Sequence, residues 1–214
     1  SLITPLAGAA GIVLFGRLPN LREAVTLATS VLLFYFTVGL TSAALSGEAV
    51  RVELFEMVPG MPIVFQVEGL GMIYALIASG LWILNSLYSI GYMRGNQEKH
   101  QTRFYLCFAV AIFGAMGTAF AGNFFTLFVF YEVLTLSTFP LVTHKGNQEA
   151  VRGGRVYLGI LAGASIGLLF PALVWINSVV GHVDFTPGGI LGDAGLERWQ
   201  LSLMFFLCVY GIAK

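Results

Sequence analysis

One carboxylate lies in the middle of a long apolar stretch. The stretch runs from Asn123 to Lys145, reads NFFTLFVFYEVLTLSTFPLVTHK, and is long enough to cross a lipid bilayer as a helix. Glu132 follows Asn123 by nine residues, which is about 14 Å along a helix axis and therefore near the bilayer midplane. A charge at that depth costs about 2.5 kcal/mol or more, so an ionisable residue there indicates a functional site with a partner.

The only other charge predicted inside an apolar run is Lys214. It follows Trp199 by 15 residues, so a helix that begins at Trp199 would carry it about 22 Å inward, past the midplane. Loss of water favours the neutral form of a carboxyl or an amine, and a nearby opposite charge favours the charged form. An ion pair of Glu132 and Lys214 would therefore load a proton on the lysine when it closes and release one when it opens.

Two interpretations of these residues stay open. In the first, Glu132 and Lys214 handle a translocated proton. In the second, Glu132 only pins two helices together through one ion pair, and Lys214 is a terminal lysine whose charged end reaches the membrane surface. The residues alone do not decide between them.

Composition indicates a membrane protein. Of 214 residues, 57% are hydrophobic and only 10% are charged, and the mean hydropathy is +0.84. A soluble domain needs a charged surface that this chain lacks. The net charge is zero and no basic tract occurs, so nucleic acid is not an expected partner. The expected fold is an all-α polytopic transmembrane bundle in the lipid bilayer, with no cofactor and no metal site.

Apolar runs and charges together predict the membrane topology. Seven spans are expected, at residues 2–16, 24–46, 69–92, 104–121, 123–143, 156–180 and from about 199. A turn at Gly122-Asn123 separates the fourth span from the fifth, and it makes basic residues alternate from side to side. Eight of the 11 basic residues then fall in the first, third and fifth connections: Arg17, Arg22, Arg94, Lys99, Arg103, Lys145, Arg152 and Arg155. These connections are predicted to be cytoplasmic, with Ser1 outside.

An acid, a histidine and a stripe of glycines are each assigned a local structural role. Glu68 opens the third span, where an acid favours the helix dipole. His144 lies twelve residues past Glu132 and about a third of a turn off its face, which favours an interfacial histidine over a proton relay. Small residues recur at every fourth position of the sixth span, and this stripe is expected to pack against another helix. Its members are Gly159, Gly163 and Gly167.

The motifs resemble a known family. The run GNFFTLFVFYEVLTLSTFPLVTHKGNQEAVRGGRVYLGI and the later LCVYGIAK resemble the antiporter-like subunits shared by Mrp-type multisubunit Na+/H+ antiporters and the membrane arm of respiratory complex I. The segment EVLTLSTFPLVTHKGN is most similar to the Mrp D subunit. In that family a Glu of the fifth helix and a Lys of a broken seventh helix form the proton-handling pair. These match Glu132 and Lys214.

The resemblance also implies how the chain is organised. Family members run to about twice this length and contain inverted repeats. We therefore expect a fragment of a longer protein, which the start at Ser1 and the end within an apolar run also suggest. Residues 1–103 are expected to form three N-terminal transmembrane helices. Residues 104–214 are expected to begin the first antiporter-like repeat, with helices four to seven.

The function that the resemblance implies is proton translocation coupled to counter-movement of a monovalent cation, expected to be Na+. The partners would be other membrane subunits of a hetero-oligomeric complex in the bacterial cytoplasmic membrane. One alternative is a proton-pumping subunit of complex I or a related redox complex, with the same residues beside different neighbours. A second is a structural or assembly subunit whose buried ion pair fixes helix register. An enzyme is a weaker alternative, because no nucleophile-and-base constellation is present.

Overall fold

The computed structural model describes residues 1–46, 50–192 and 194–213. Lys214, one of the two predicted site residues, lies outside the described residues. Eight α-helices, one short π-helical segment and one β-hairpin make up the described part. In chain order they are α1 (Thr4–Leu14), α2 (Pro19–Ser46), β1 (Arg51–Val58), β2 (Met61–Gln66), α3 (Gly69–Gly95), α4 (Gln101–Ala119), α5 (Phe124–Val142), α6 (Gln148–Ala164), the π segment (Ser165–Leu169), α7 (Phe170–Val180) and α8 (Arg198–Ile212).

Every predicted span is helical. Helices α2, α3, α4 and α5 are long and apolar enough to cross a membrane, and so is the continuous helical stretch Gln148–Val180. Helices α1 and α8 are apolar but shorter, with 11 and 15 residues. The protein is therefore an integral membrane protein, as composition predicts.

The turn between the fourth and fifth spans is confirmed. Helix α4 ends at Ala119, and Asn123 is the N-cap of α5. Its side-chain oxygen accepts a hydrogen bond from Thr126 N at 2.7 Å, while its amide nitrogen donates to Pro62 O at 2.9 Å. Asparagine is a preferred N-cap because its short side chain satisfies a free backbone N–H of the first turn. The fully buried Asn123 thus both starts α5 and ties it to the hairpin.

A β-hairpin occupies the second connection, where the sequence analysis predicts no regular structure. Strands β1 and β2 pair antiparallel around the turn at Pro59-Gly60, and Gly60 has a φ of +78° that favours glycine. Strand β2 then pairs with the turn before α5, because Gln66 N donates to Phe120 O and Gly122 N donates to Val64 O, both at 2.8 Å. The hairpin therefore covers one end of the helix bundle.

The connections alternate between two ends of the bundle. At one end, Thr102 Oγ1 donates to Gly16 O at 3.0 Å, which joins the first and third connections. At the other end, the Arg51 guanidinium lies 3.2 Å from the Asp184 carboxylate, which joins the second and sixth connections. The predicted alternation is confirmed, and the end that holds the first, third and fifth connections is called the basic end below.

Of two local predictions, one is confirmed and one needs correction. Glu68 is the N-cap of α3, as predicted, although its carboxylate makes no hydrogen bond to the helix and accepts from Gln66 Nε2 at 2.9 Å. The predicted packing seam in the sixth span is not formed among the described residues. A Cβ atom built on any of its three glycines would meet no atom within 4 Å. Close helix packing occurs instead between α4 and α5, where Gly114 lies against the backbone of Leu134.

Candidate proton-handling site

Glu132 lies in the middle of α5, at the ninth of its 19 positions. Its side chain is half-buried. One turn earlier on the same face, the ring of Phe128 stacks on that of Phe170 with 5.3 Å between centroids, and Phe170 is the first residue of α7. Residues four apart on a helix share a face, so Glu132 lies on the side of α5 that faces the junction of α6 and α7.

The end of α8 is tied to α5 through Tyr131, the residue before Glu132. The Tyr131 hydroxyl donates a hydrogen bond to Ile212 O at 2.8 Å. Ile212 is the last residue of α8, and Ala213 leaves the helical conformation with ψ of 72°. A carbonyl at a helix end has no partner within its helix, so the tyrosine satisfies it. The end of α8 is therefore tied to α5 through the residue that precedes Glu132.

The π segment between α6 and α7 packs against the end of α8. In the π segment the fully buried Ser165 donates from Oγ to Leu161 O at 2.9 Å, and Phe170 N donates to Ser165 O. Single π turns inside α-helices occur frequently at functional sites. Gly211 of α8 packs on this turn, since a Cβ atom at Gly211 would lie 2.6 Å from Leu169 N. The end of α8 is thus held between α5 and the π segment.

Gly211→Ala is expected to lower the stability of the protein. The added methyl group would meet the backbone of Leu169, which cannot rotate away as a flexible side chain could, and overpacking of this kind costs about 1–3 kcal/mol. The measurement is the thermal unfolding midpoint of the purified protein. Gly163→Ala is the matched control, because a Cβ atom there meets nothing within 4 Å among the described residues. Equal midpoints for the two variants would contradict the close packing of α8 on the π segment.

Hydroxyl groups continue from Tyr131 along α5 toward the basic end. Thr135 Oγ1 donates to Tyr131 O at 2.8 Å, and Thr138 Oγ1 lies 3.3 Å from the Tyr157 hydroxyl of α6. Positions 131, 135 and 138 follow the spacing of one helix face. That spacing is the signal in the sequence that could have found this line of polar groups beside Glu132.

A buried ionic cluster at the basic end was not predicted. The sequence places Arg22 in a connection, but α2 begins at Pro19, so Arg22 and Glu23 lie inside the helix and each is only 4% exposed. The Glu23 carboxylate accepts from Arg94 Nε of α3 at 3.1 Å and lies 3.3 Å from Arg22. Arg22 also donates to Gln101 Oε1 of α4 at 2.7 Å. This cluster joins α2, α3 and α4.

One histidine and two cysteines are further ionisable residues of the described chain. His144 follows α5 at the basic end, where burial and then the positive charge of Arg103 lower its pKa below the ordinary value. Cys107 and Cys208 are free thiols. Within the part of the chain that the structure describes, no three His, Cys, Asp or Glu side chains come close enough to hold a metal ion.

The sequence of the region around the site matches known proteins. Residues 121–214 match the family model described as NADH:quinone oxidoreductase/Mrp antiporter, TM. The Na(+)/H(+) antiporter subunit A1 of Staphylococcus aureus (strain bovine RF122 / ET3-1) is 30% identical over 146 residues, which are 67% of this chain and 18% of that protein. The antiporter-like resemblance is confirmed, while the expected greater similarity to the D subunit stays a prediction.

Solved structures share the fold of the whole chain. One is a chain of the membrane-bound sulfane sulfur reductase (MBS), an archaeal respiratory membrane complex, with a TM-score of 0.84 and 18% identity over 99% of this chain and 43% of that chain. Another belongs to the Mrp complex from Dietzia sp. DQ12-45-1b, with a TM-score of 0.74 and 18% identity over 99% of this chain and 40% of that chain. The predicted all-α transmembrane fold is confirmed. The chain spans less than half the length of these relatives.

Proposed function

We propose that the chain is part of a proton-translocating subunit of a multisubunit monovalent cation/proton antiporter, and that the cation is Na+. The proton-handling pair is Glu132 and Lys214. The curated relative that is named a Na(+)/H(+) antiporter subunit supports the choice of ion. By the same similarity, the partners are other membrane subunits of a hetero-oligomeric complex.

The observation that carries the proposal is the hydrogen bond from Tyr131 to Ile212 O at 2.8 Å. It ties the end of α8, two residues before Lys214, to the residue that precedes Glu132. A carboxylate near a lysine favours the protonated amine, and withdrawal of the carboxylate favours proton release in a medium of low dielectric constant. Small relative movements of α5 and α8 would therefore load and unload a proton.

Tyr131 acts as a positioning residue for this pair. Tyr131→Phe keeps the ring and removes the hydroxyl, so the end of α8 loses one hydrogen bond, worth about 1 kcal/mol. We expect transport by the complex to fall by about fivefold, with a displaced pH profile because the end of α8 is no longer tied to α5. Tyr88→Phe is the control, since Tyr88 lies on α3 and is 69% exposed. Identical pH profiles for Tyr131→Phe and the native complex would show that Tyr131 does not position the pair.

Sodium-driven proton movement tests the proposed activity. The full complex is placed in inverted membrane vesicles, a sodium pulse is applied, and a pH-sensitive dye follows the lumen. Proton movement after the pulse is the expected result. Proton movement that requires an electron donor and ignores sodium would replace the proposal with the alternative of a redox-driven pump.

A further inference from the structure

A polar cavity of about 660 Å³ lies at the basic end, between the α3–α4 and α5–α6 connections. Its charged lining consists of three cations and one carboxylate, so it carries an excess of positive charge whatever the state of its histidines. The ionisable residues that line it are Glu98, Lys99, His100, Arg103, His144 and Lys145. It contains no residue of the Glu132 site.

Two helices begin at this cavity. His100 is the N-cap residue of α4, Asn147 is the N-cap residue of α6, and both line the cavity. The N-terminus of a helix carries partial positive charge and free backbone N–H groups, which favour anions. The helix ends therefore add to the positive potential of the lysine and arginine side chains.

The cavity also contains polar groups that the described chain leaves unsatisfied. Both ring nitrogens of His144 are buried and have no hydrogen-bond partner among the described residues. The cavity is lined as well by Gln97 and His100, whose φ values of 50° and 56° are unusual for residues other than glycine. Strained backbone of this kind clusters at ligand sites.

We propose that this cavity binds the phosphate group of an anionic phospholipid of the cytoplasmic leaflet. The cavity lies at the ends of membrane-spanning helices, where lipid headgroups lie, and basic pockets between helices on the cytoplasmic side bind such headgroups. A second cavity of about 380 Å³ shares Gly146 with the first and continues along α6. Its lining includes two arginines, which suit an anionic headgroup, and two valines, which suit the start of an apolar acyl chain. These residues are Arg152, Arg155, Val151 and Val156.

Native mass spectrometry of the full complex, released from nanodiscs of mixed phosphatidylglycerol and phosphatidylcholine, tests the proposal. The native complex is expected to retain phosphatidylglycerol in preference to phosphatidylcholine. Lys145→Gln should weaken that retention by about fivefold, and Lys145→Arg should preserve it. Arg17→Gln is the matched control because Arg17 is exposed near the same end but does not line the cavity, and it should leave retention unchanged.

Three results would overturn the proposal. Equal losses for Lys145→Gln and Arg17→Gln would mean that general surface charge, not the cavity, attracts the lipid. If the native complex showed no preference for phosphatidylglycerol, the proposed lipid site would be excluded by that result alone. Displacement of the lipid by inorganic phosphate at the same concentration would indicate a site for free phosphate instead.

Discussion

Replacing Glu132 by glutamine is expected to lower sodium-driven proton movement by about 100-fold, a loss typical of removing a proton-transfer group. Glutamine has nearly the volume and hydrogen-bonding reach of glutamate but cannot ionise. It would therefore keep α5 packed against the π segment and α8 while it removes the charge that acts on the partner. The measurement is the dye signal after a sodium pulse in inverted vesicles that contain the full complex.

The control for this prediction is Glu53→Gln. Glu53 lies on β1, is exposed, and is far along the chain from the transmembrane acid. We expect native transport for this control and native subunit composition for both variants. Unchanged sodium-dependent exchange in Glu132→Gln would reduce Glu132 to a structural acid.

The largest effect on stability is expected from Glu23→Gln. Among the described residues, Glu23 is the only carboxylate that contacts Arg22 and Arg94, and the side chains of Glu23 and Arg22 are each only 5% exposed. Removing one partner of a buried ion pair leaves an uncompensated charge and costs about 3–5 kcal/mol. The free energy of unfolding should fall by that amount.

Thermal unfolding of the purified protein in detergent measures this effect as a lower midpoint temperature. Glu53→Gln is again the matched change, and a surface substitution of this kind should alter stability by no more than about 0.5 kcal/mol. Similar midpoints for the two variants would mean that the guanidinium groups of the cluster find other partners. In that case the cluster would not hold α2, α3 and α4 together.

The membrane spans and the turn at Asn123 could be predicted from the sequence because both depend on local properties. Span length follows from bilayer thickness, and Asn123 is a residue type that caps helices wherever it follows a break. Glu132 could be singled out for the same reason, since its depth depends only on its distance from Asn123. The alternation of basic residues then fixed which ends of the helices lie together.

Contacts between distant segments could not be predicted in the same way. The bond between Tyr131 and Ile212 joins residues 81 positions apart, and nothing local marks either residue as a partner. The close packing of Gly211 on Leu169 also joins distant segments that no local signal in the sequence connects. The hairpin is different, because the Pro59-Gly60 turn between two apolar runs is a recognisable signal. Its strands, of 8 and 6 residues, are too short to be predicted from span length.

The pairing of Glu132 with Lys214 is tested most directly by replacing both residues at once. Glu132→Gln combined with Lys214→Gln removes both charges and leaves no unpaired ion that could disturb folding. Sodium-driven proton movement by the assembled complex is then compared with that of the native complex in inverted vesicles. A proton-handling pair predicts that the assembled double variant moves no protons after the sodium pulse. Native transport by the double variant would contradict that role and leave the pair with a structural one.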